Sequence, residues 1–248
     1  MCWPQCLTAS LTCTCIPHWN CMKNRRGVSP GLLDLYMKHR PRISPENIEL
    51  CSRQEVGIVG FPITYKEAVP EKANREIIKQ QIDCLLIDDD TERLEASIGP
   101  RVHGVKMHHK IMNQQDGFSQ MAAPDKMNFL ESNNMCLLIE VPDHVKEIQN
   151  IIETAGSYKV NIILPHMAFN HTGFHMERGR FIESFSKYDK SYDVLKKLTE
   201  SPNIYLDIAM KADFDLIMTG IQAIGEDRIF YGSDYPYCLT RRDRQLVL

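Results

Sequence analysis

From about residue 55 the chain alternates between short apolar runs and helix-forming stretches, and this beat constrains the fold more than any other feature. "VGIVGFPIT" (56–64), "IDCLLID" (82–88), "VHGVKMH" (102–108), "MCLLIEV" (135–141), "VNIILPH" (160–166), "NIYLDIAM" (203–210) and "RIFYGSD" (228–234) are near-continuous apolar runs. Strands of that kind are buried on both faces, which implies a parallel sheet joined by crossover helices. The intervening stretches fit that role. "PDHVKEIQNIIETAG" opens on Pro142 and Asp143, sets Val145, Ile148, Ile151 and Ile152 on one face, and closes at Gly156. "DDTERLEAS" has Asp and Thr in capping positions and Gly99-Pro100 as its stop.

Such runs suit either a doubly wound sheet or a barrel. The doubly wound nucleotide-binding form needs a glycine-rich turn after an early strand. Gly57 and Gly60 lie inside the first run, and no G-x-G-x-x-G follows any strand. A chain of 248 residues accommodates a closed barrel as one domain. The expected fold class is therefore α/β, a (β/α)8 TIM-like barrel with two places where it could be incomplete. At strand 1 the one candidate is "SLTCTCI" (10–16), because "SPGLLDLYMKH" and "SPENIELCSR" read as helices with Ser at the cap and Pro in the first turn. At the other end, residues 237–248 are too few for a closing helix plus its loop. The domain reading is a divergent, cysteine-rich segment over 1–27 and the barrel over 28–248.

A net charge of −3 gives no attraction to nucleic acid or to anionic membranes. No apolar run approaches the roughly 18 residues that span a bilayer, and the N-terminus makes a poor signal peptide. Five of the nine cysteines (Cys2, Cys6, Cys13, Cys15 and Cys21) crowd the start, and the odd total does not suggest a disulfide framework. The expectation is a cytoplasmic protein with reduced thiols. Its partner would be a small-molecule substrate, with homo-oligomerisation left open.

In a barrel of this kind functional side chains gather where the strands end, at the C-terminal face. The strand ends here read Lys106 and His108, Glu140, His166, Asp207 and Asp234. Imidazoles and carboxylates together are the ligand chemistry of zinc or a similar divalent ion. Each residue also has a plainer role. A single strand-end histidine is more often a hydrogen-bonded structural residue, Asp207 could cap the next segment, and Lys106 could merely neutralise carboxylates.

"GVKMHH" (104–109), "IILPHMAF" (162–169), "NIYLDIAM" (203–210) and above all "GEDRIFYGSDYPY" (225–237) resemble the amidohydrolase-related family of metal-dependent hydrolases. Relatives of that family include aminocarboxymuconate-semialdehyde decarboxylase-like enzymes. The resemblance runs in consistent order over roughly residues 55–238 and implies a distorted (β/α)8 barrel. It also implies a divalent metal, zinc first and manganese second. Metal-bound water would be the nucleophile for hydrolysis of a C–N or C–O bond, with decarboxylation as the other outcome.

By position, His166 would be the strand-six ligand, and Asp234 the strand-eight ligand and catalytic proton acceptor. Lys106, His108, Asn170 and Arg178 are the candidate substrate contacts, and Arg178 and Arg180 could equally be solvated loop charges. Two departures stand out. Glu140 occupies the position where the family has a histidine on strand five, and so becomes a candidate metal ligand. No H-x-H exists anywhere in the chain, and the nearest local analogue on strand one is Cys13 and Cys15 in "CTCIP". The alternative function is a metal-free barrel of the same ancestry that binds a ligand or partner without turnover.

Overall fold

The computed structural model describes residues 12–16, 58–62, 69–81, 83–108, 118, 122–140, 144–168, 171–177, 180–185, 195–208 and 214–232. Eight of its strands are parallel and close into a barrel: β1 (Thr12–Ile16), β2 (Ile58–Pro62), β3 (Asp83–Ile87), β4 (Val102–His108), β5 (Cys136–Glu140), β6 (Ile162–Leu164), β9 (Ile204–Asp207) and β10 (Ile229–Gly232). Between β6 and β9 the chain makes an antiparallel hairpin of β7 (His171–Glu177) and β8 (Arg180–Phe185). The sequence reads that stretch as a loop; the structure corrects this to a paired ribbon.

The expected barrel is present, and "TCTCI" supplies its first strand. β1 runs in register with β2 along five pairs, Thr12↔Ile58 to Ile16↔Pro62, but meets β10 through Thr12↔Tyr231 and Cys13↔Gly232 alone. Closure at strand 1 is thin. β1 also falls inside residues 1–27, so the described part of that segment belongs to the barrel sheet. The two helices read between residues 29 and 53, and the turn and tail beyond Gly232, lie outside the described residues.

The helices between strands are α1 (Pro70–Ile78), α2 (Thr91–Glu95), α3 (Pro124–Ser132), α4 (His144–Ser157) and α5 (Phe214–Ile224). α1 and α3 begin on Pro, whose fixed φ suits a first helical turn and whose missing N–H costs nothing there. Asp90 caps α2 by accepting the Glu92 N–H at 2.9 Å. That helix stops at Glu95, short of the Gly99-Pro100 stop the sequence suggests. Among the described residues no helix is long and apolar enough to cross a membrane.

Strand side chains alternate between two faces. Val105, Met107, Leu137, Ile139, Leu164 and Leu206 face outward and form one core with Ile77, Leu130, Ile148 and Ile151 of the helices. Burying each such side chain contributes about 1.5–3 kcal/mol. The alternate residues, among them Val59, Phe61, Leu85, Leu138 and Ile163, fill the barrel interior. Asn74 ties helix to strand. Its Nδ2 donates to the Ile87 carbonyl at 2.9 Å and its Oδ1 accepts the Ile87 N–H at 2.7 Å, which fixes α1 at the upper end of β3.

Cys84 and Cys136 are free and buried. Burial, with Asp83 adding to it, pushes the Cys84 thiol up to about 11, and burial pushes Cys136 up to about 12. A raised thiol pKa contributes stability that is intact below the usual thiol range and is lost as pH rises toward these values. Both thiols should therefore stay protonated and unmodified when native protein meets a disulfide reagent at about pH 8. Both should react once urea is added. Peptide mass mapping checks this, and rapid native labelling of Cys136 would show that β5 opens.

Candidate active site at the barrel mouth

β4 delivers the first two groups. A strand repeats every second residue, so Lys106 and His108 project from the same face, the one toward the barrel axis. Register then pairs His108 with Glu140 of β5. His108 Nε2 lies 3.0 Å from Glu140 Oε2, and both side chains are buried. Lys106 is buried too, and its Nζ sits 3.8 Å from the centroid of the Phe61 ring on β2. The negative face of an aromatic ring stabilises an ammonium there by about 1–2 kcal/mol once water is excluded.

Burial alone would push the Glu140 carboxyl up. The charge and hydrogen bond of His108, followed by the fields of His166 and Lys106, outweigh it and hold Glu140 well below the usual carboxylate range. The mouth therefore contains a buried anion facing several basic groups. That combination persists only because the partners compensate one another.

His166 arrives differently. β6 ends at Leu164, earlier than the run "VNIILPH" suggests, and Pro165–Ala168 form a tight turn. His166, Met167 and Ala168 all have left-handed backbone, with φ of 57°, 59° and 58°. Each such non-glycine residue costs roughly 1–2 kcal/mol, so the turn must be held by its surroundings. Asp207, the last residue of β9, accepts the His166 N–H at 3.1 Å through Oδ1. Asp207 thus braces a neighbouring turn.

A second charged pair stands beside this group. Lys126 of α3 pairs with Asp88 and donates to the Asp89 carbonyl at 2.6 Å, which anchors the turn after β3. Burial is the main influence on Asp88 and raises its carboxyl despite Lys126. The strand-end reading missed this pair and missed Phe61. Alternation along "IVGFP" puts Phe61 on an axial position, whereas nothing in sequence couples Lys126 to Asp88.

The structure thus gathers Lys106, His108, Glu140, His166 and Asp207 at one end of the barrel. Asp234, Asn170 and Arg178 lie outside the described residues. Cys13 and Cys15 occupy the register rows of Val59 and Phe61. As a metal site, the donors have suitable chemistry: a carboxylate kept anionic, within the field of two imidazoles. Among the described residues no group of three or more His, Cys, Asp or Glu stands in metal-holding geometry. Of the three residues the sequence offers as metal ligands, Glu140 and His166 are therefore described at this mouth, and Asp234 is not.

No family model matches the sequence, and no curated protein matches it either. Solved structures do match the fold. An amidohydrolase from Burkholderia multivorans with bound zinc superposes with a TM-score of 0.65 at 12% identity, over 96% of this chain and 90% of that one. 5-Carboxyvanillate decarboxylase from Sphingomonas paucimobilis gives 0.59 at 10% identity, over 96% of this chain and 92% of that one. A dihydroxybenzoic acid decarboxylase from Polaromonas sp. JS666, with bound manganese and the inhibitor 2-nitroresorcinol, gives 0.52 at 13% identity, over 96% and 94%. At such identities the likeness is one of fold. These neighbours are amidohydrolases and decarboxylases, the same group that the four sequence motifs resemble.

Proposed function

We propose that this barrel is a divalent-metal-dependent hydrolase or decarboxylase that acts on a small organic substrate at the C-terminal mouth. The observation that carries the reading is Glu140, a buried carboxylate kept charged by His108, His166 and Lys106 where barrel enzymes work. The zinc and manganese in two structures of the same fold support the choice of ion.

Glu140 and His166, joined by Asp234 from the turn after β10, would hold the metal, zinc first and manganese second. When bound, the ion would supply Lewis acidity toward a carbonyl or carboxylate of the substrate. The chain's own groups do the rest. Lys106, seated on Phe61, presents a fixed positive charge to an anionic substrate group. His108 shares its Nε2 position with Glu140 and is placed to hold or pass a proton. Asp234 would accept the proton released in the reaction, and Asn170 and Arg178 would complete the substrate contacts.

Elemental mass spectrometry of purified protein tests this, with wild type beside His166→Ala and Asp234→Ala. The expected result is near-stoichiometric zinc or manganese in wild type and loss of it in both variants. Wild type that stays free of metal even after incubation with zinc and manganese would overturn the proposal. The chain would then be a ligand-binding barrel without this chemistry.

A further inference from the structure

The turn carrying His166 is held from two sides, and one of the holders is a carboxylate at the end of a neighbouring strand. β6 pairs with β9 as far as Leu164↔Leu206. Beyond that point Pro165 has no N–H to offer, so His166 carries the first donor past the strand. The paired rows of the parallel ladder end at Leu164↔Leu206. Asp207, one residue beyond Leu206 and buried, reaches across and accepts that N–H at 3.1 Å. The next residue is pinned independently. Met167 is fully buried, and a Cβ added to Gly220 of α5 would lie 2.3 Å from its Cε. The glycine leaves the space that the Met167 side chain enters. His166 itself is buried between these two fasteners.

We propose that Asp207 is a positioning residue: by accepting the His166 N–H it fixes the left-handed turn after β6, and so places the His166 imidazole toward Glu140. The inference rests on the proposed role of His166 in the site. It gives Asp207 a task other than metal ligand or helix cap. The Met167–Gly220 contact performs the same task from the helix side.

The ring of His166 can be read directly in metal-free, full-length protein by long-range 1H–15N correlation of the histidine imidazoles. Its cross-peaks are identified by their loss in His166→Gln. Asp207→Ala should move them, whereas Asp207→Asn, which keeps an acceptor oxygen, should leave them near wild type. Met167→Ala, which removes the contact with Gly220, should also move them. The His103 peaks, from the opposite end of β4, should stay fixed in every variant.

Unmoved His166 peaks in Asp207→Ala would overturn the proposal. So would equal movement in the Asn and Ala variants, which would assign the effect to charge. If Asp207→Ala does not fold, Met167→Ala decides, and unmoved peaks in that variant overturn the turn mechanism. Calorimetric Zn2+ titration gives the second readout, with affinity expected to fall about 10–100-fold in Asp207→Ala and little in Asp207→Asn. Wild type that takes up no Zn2+ defeats the metal reading alone; the imidazole spectra still decide the positioning role.

Discussion

Replacing Glu140 by Gln should destabilise the metal-free protein by about 3–5 kcal/mol at neutral pH. The substitution preserves shape and removes a buried carboxylate that Lys106, His108 and His166 all act on. What remains is a set of buried basic groups that have lost this counter-charge, the costly half of breaking a buried pair. The pH dependence has a definite sign. Because the folded-state carboxyl is held well below its usual value, its contribution is complete above the ordinary glutamate pKa of about 4.3. It is lost as pH falls through the folded value, since the unfolded chain binds the proton first.

Urea unfolding of both proteins should therefore show a wide gap at about pH 7 that narrows below about pH 4. A Gln variant with the wild-type midpoint at neutral pH would mean that His108 and Glu140 do not act as a pair. It would also remove the main support for an electrostatically prepared site.

The parts of this molecule that were legible in the sequence are those that depend on local pattern. The apolar run "VHGVKMH" gives β4 to the residue, and the spacing of Ile148 and Ile151 gives the buried face of α4. Strand ends then name His108 and Glu140 one at a time. Their contact at 3.0 Å depends on cross-strand register, which no local pattern encodes. The left-handed turn was equally invisible, because "PHMA" contains no glycine or asparagine to announce positive φ. Its support comes from Asp207 and Gly220, both distant in sequence. The β7–β8 hairpin escaped for another reason: "HTGFHME" is too polar and irregular for an apolar-run reading. Chemistry-bearing residue types could be listed from the sequence, but the bonds that orient them could not.

Register also makes Gly104 the residue whose change should cost most in the scaffold beneath the site. Gly104 sits opposite Cys136 on β5, two residues before Lys106 and on the same strand face. A Cβ there would lie 2.2 Å from the Cys136 carbonyl oxygen and 2.6 Å from its Sγ. The thiol could turn aside; the carbonyl oxygen is fixed by the strand backbone. Gly104→Ala must therefore push β4 from β5 along the pairing that aligns His108 with Glu140, at a cost of about 3 kcal/mol or more, at the upper end for overpacking.

The double variant Gly104→Ala/Cys136→Ala separates the two obstacles. If backbone is the true barrier, the double variant should recover little of the lost midpoint in thermal and urea unfolding. Recovery to near the Cys136→Ala midpoint would place the clash on the sulfur instead. In that case β4 and β5 could part slightly without disturbing the ladder. The same protein reports on the site, because a widened β4–β5 gap lengthens the contact that holds Glu140 ionised. Gly104→Ala should therefore show a smaller acid-side loss of stability than wild type, in the same direction as Glu140→Gln.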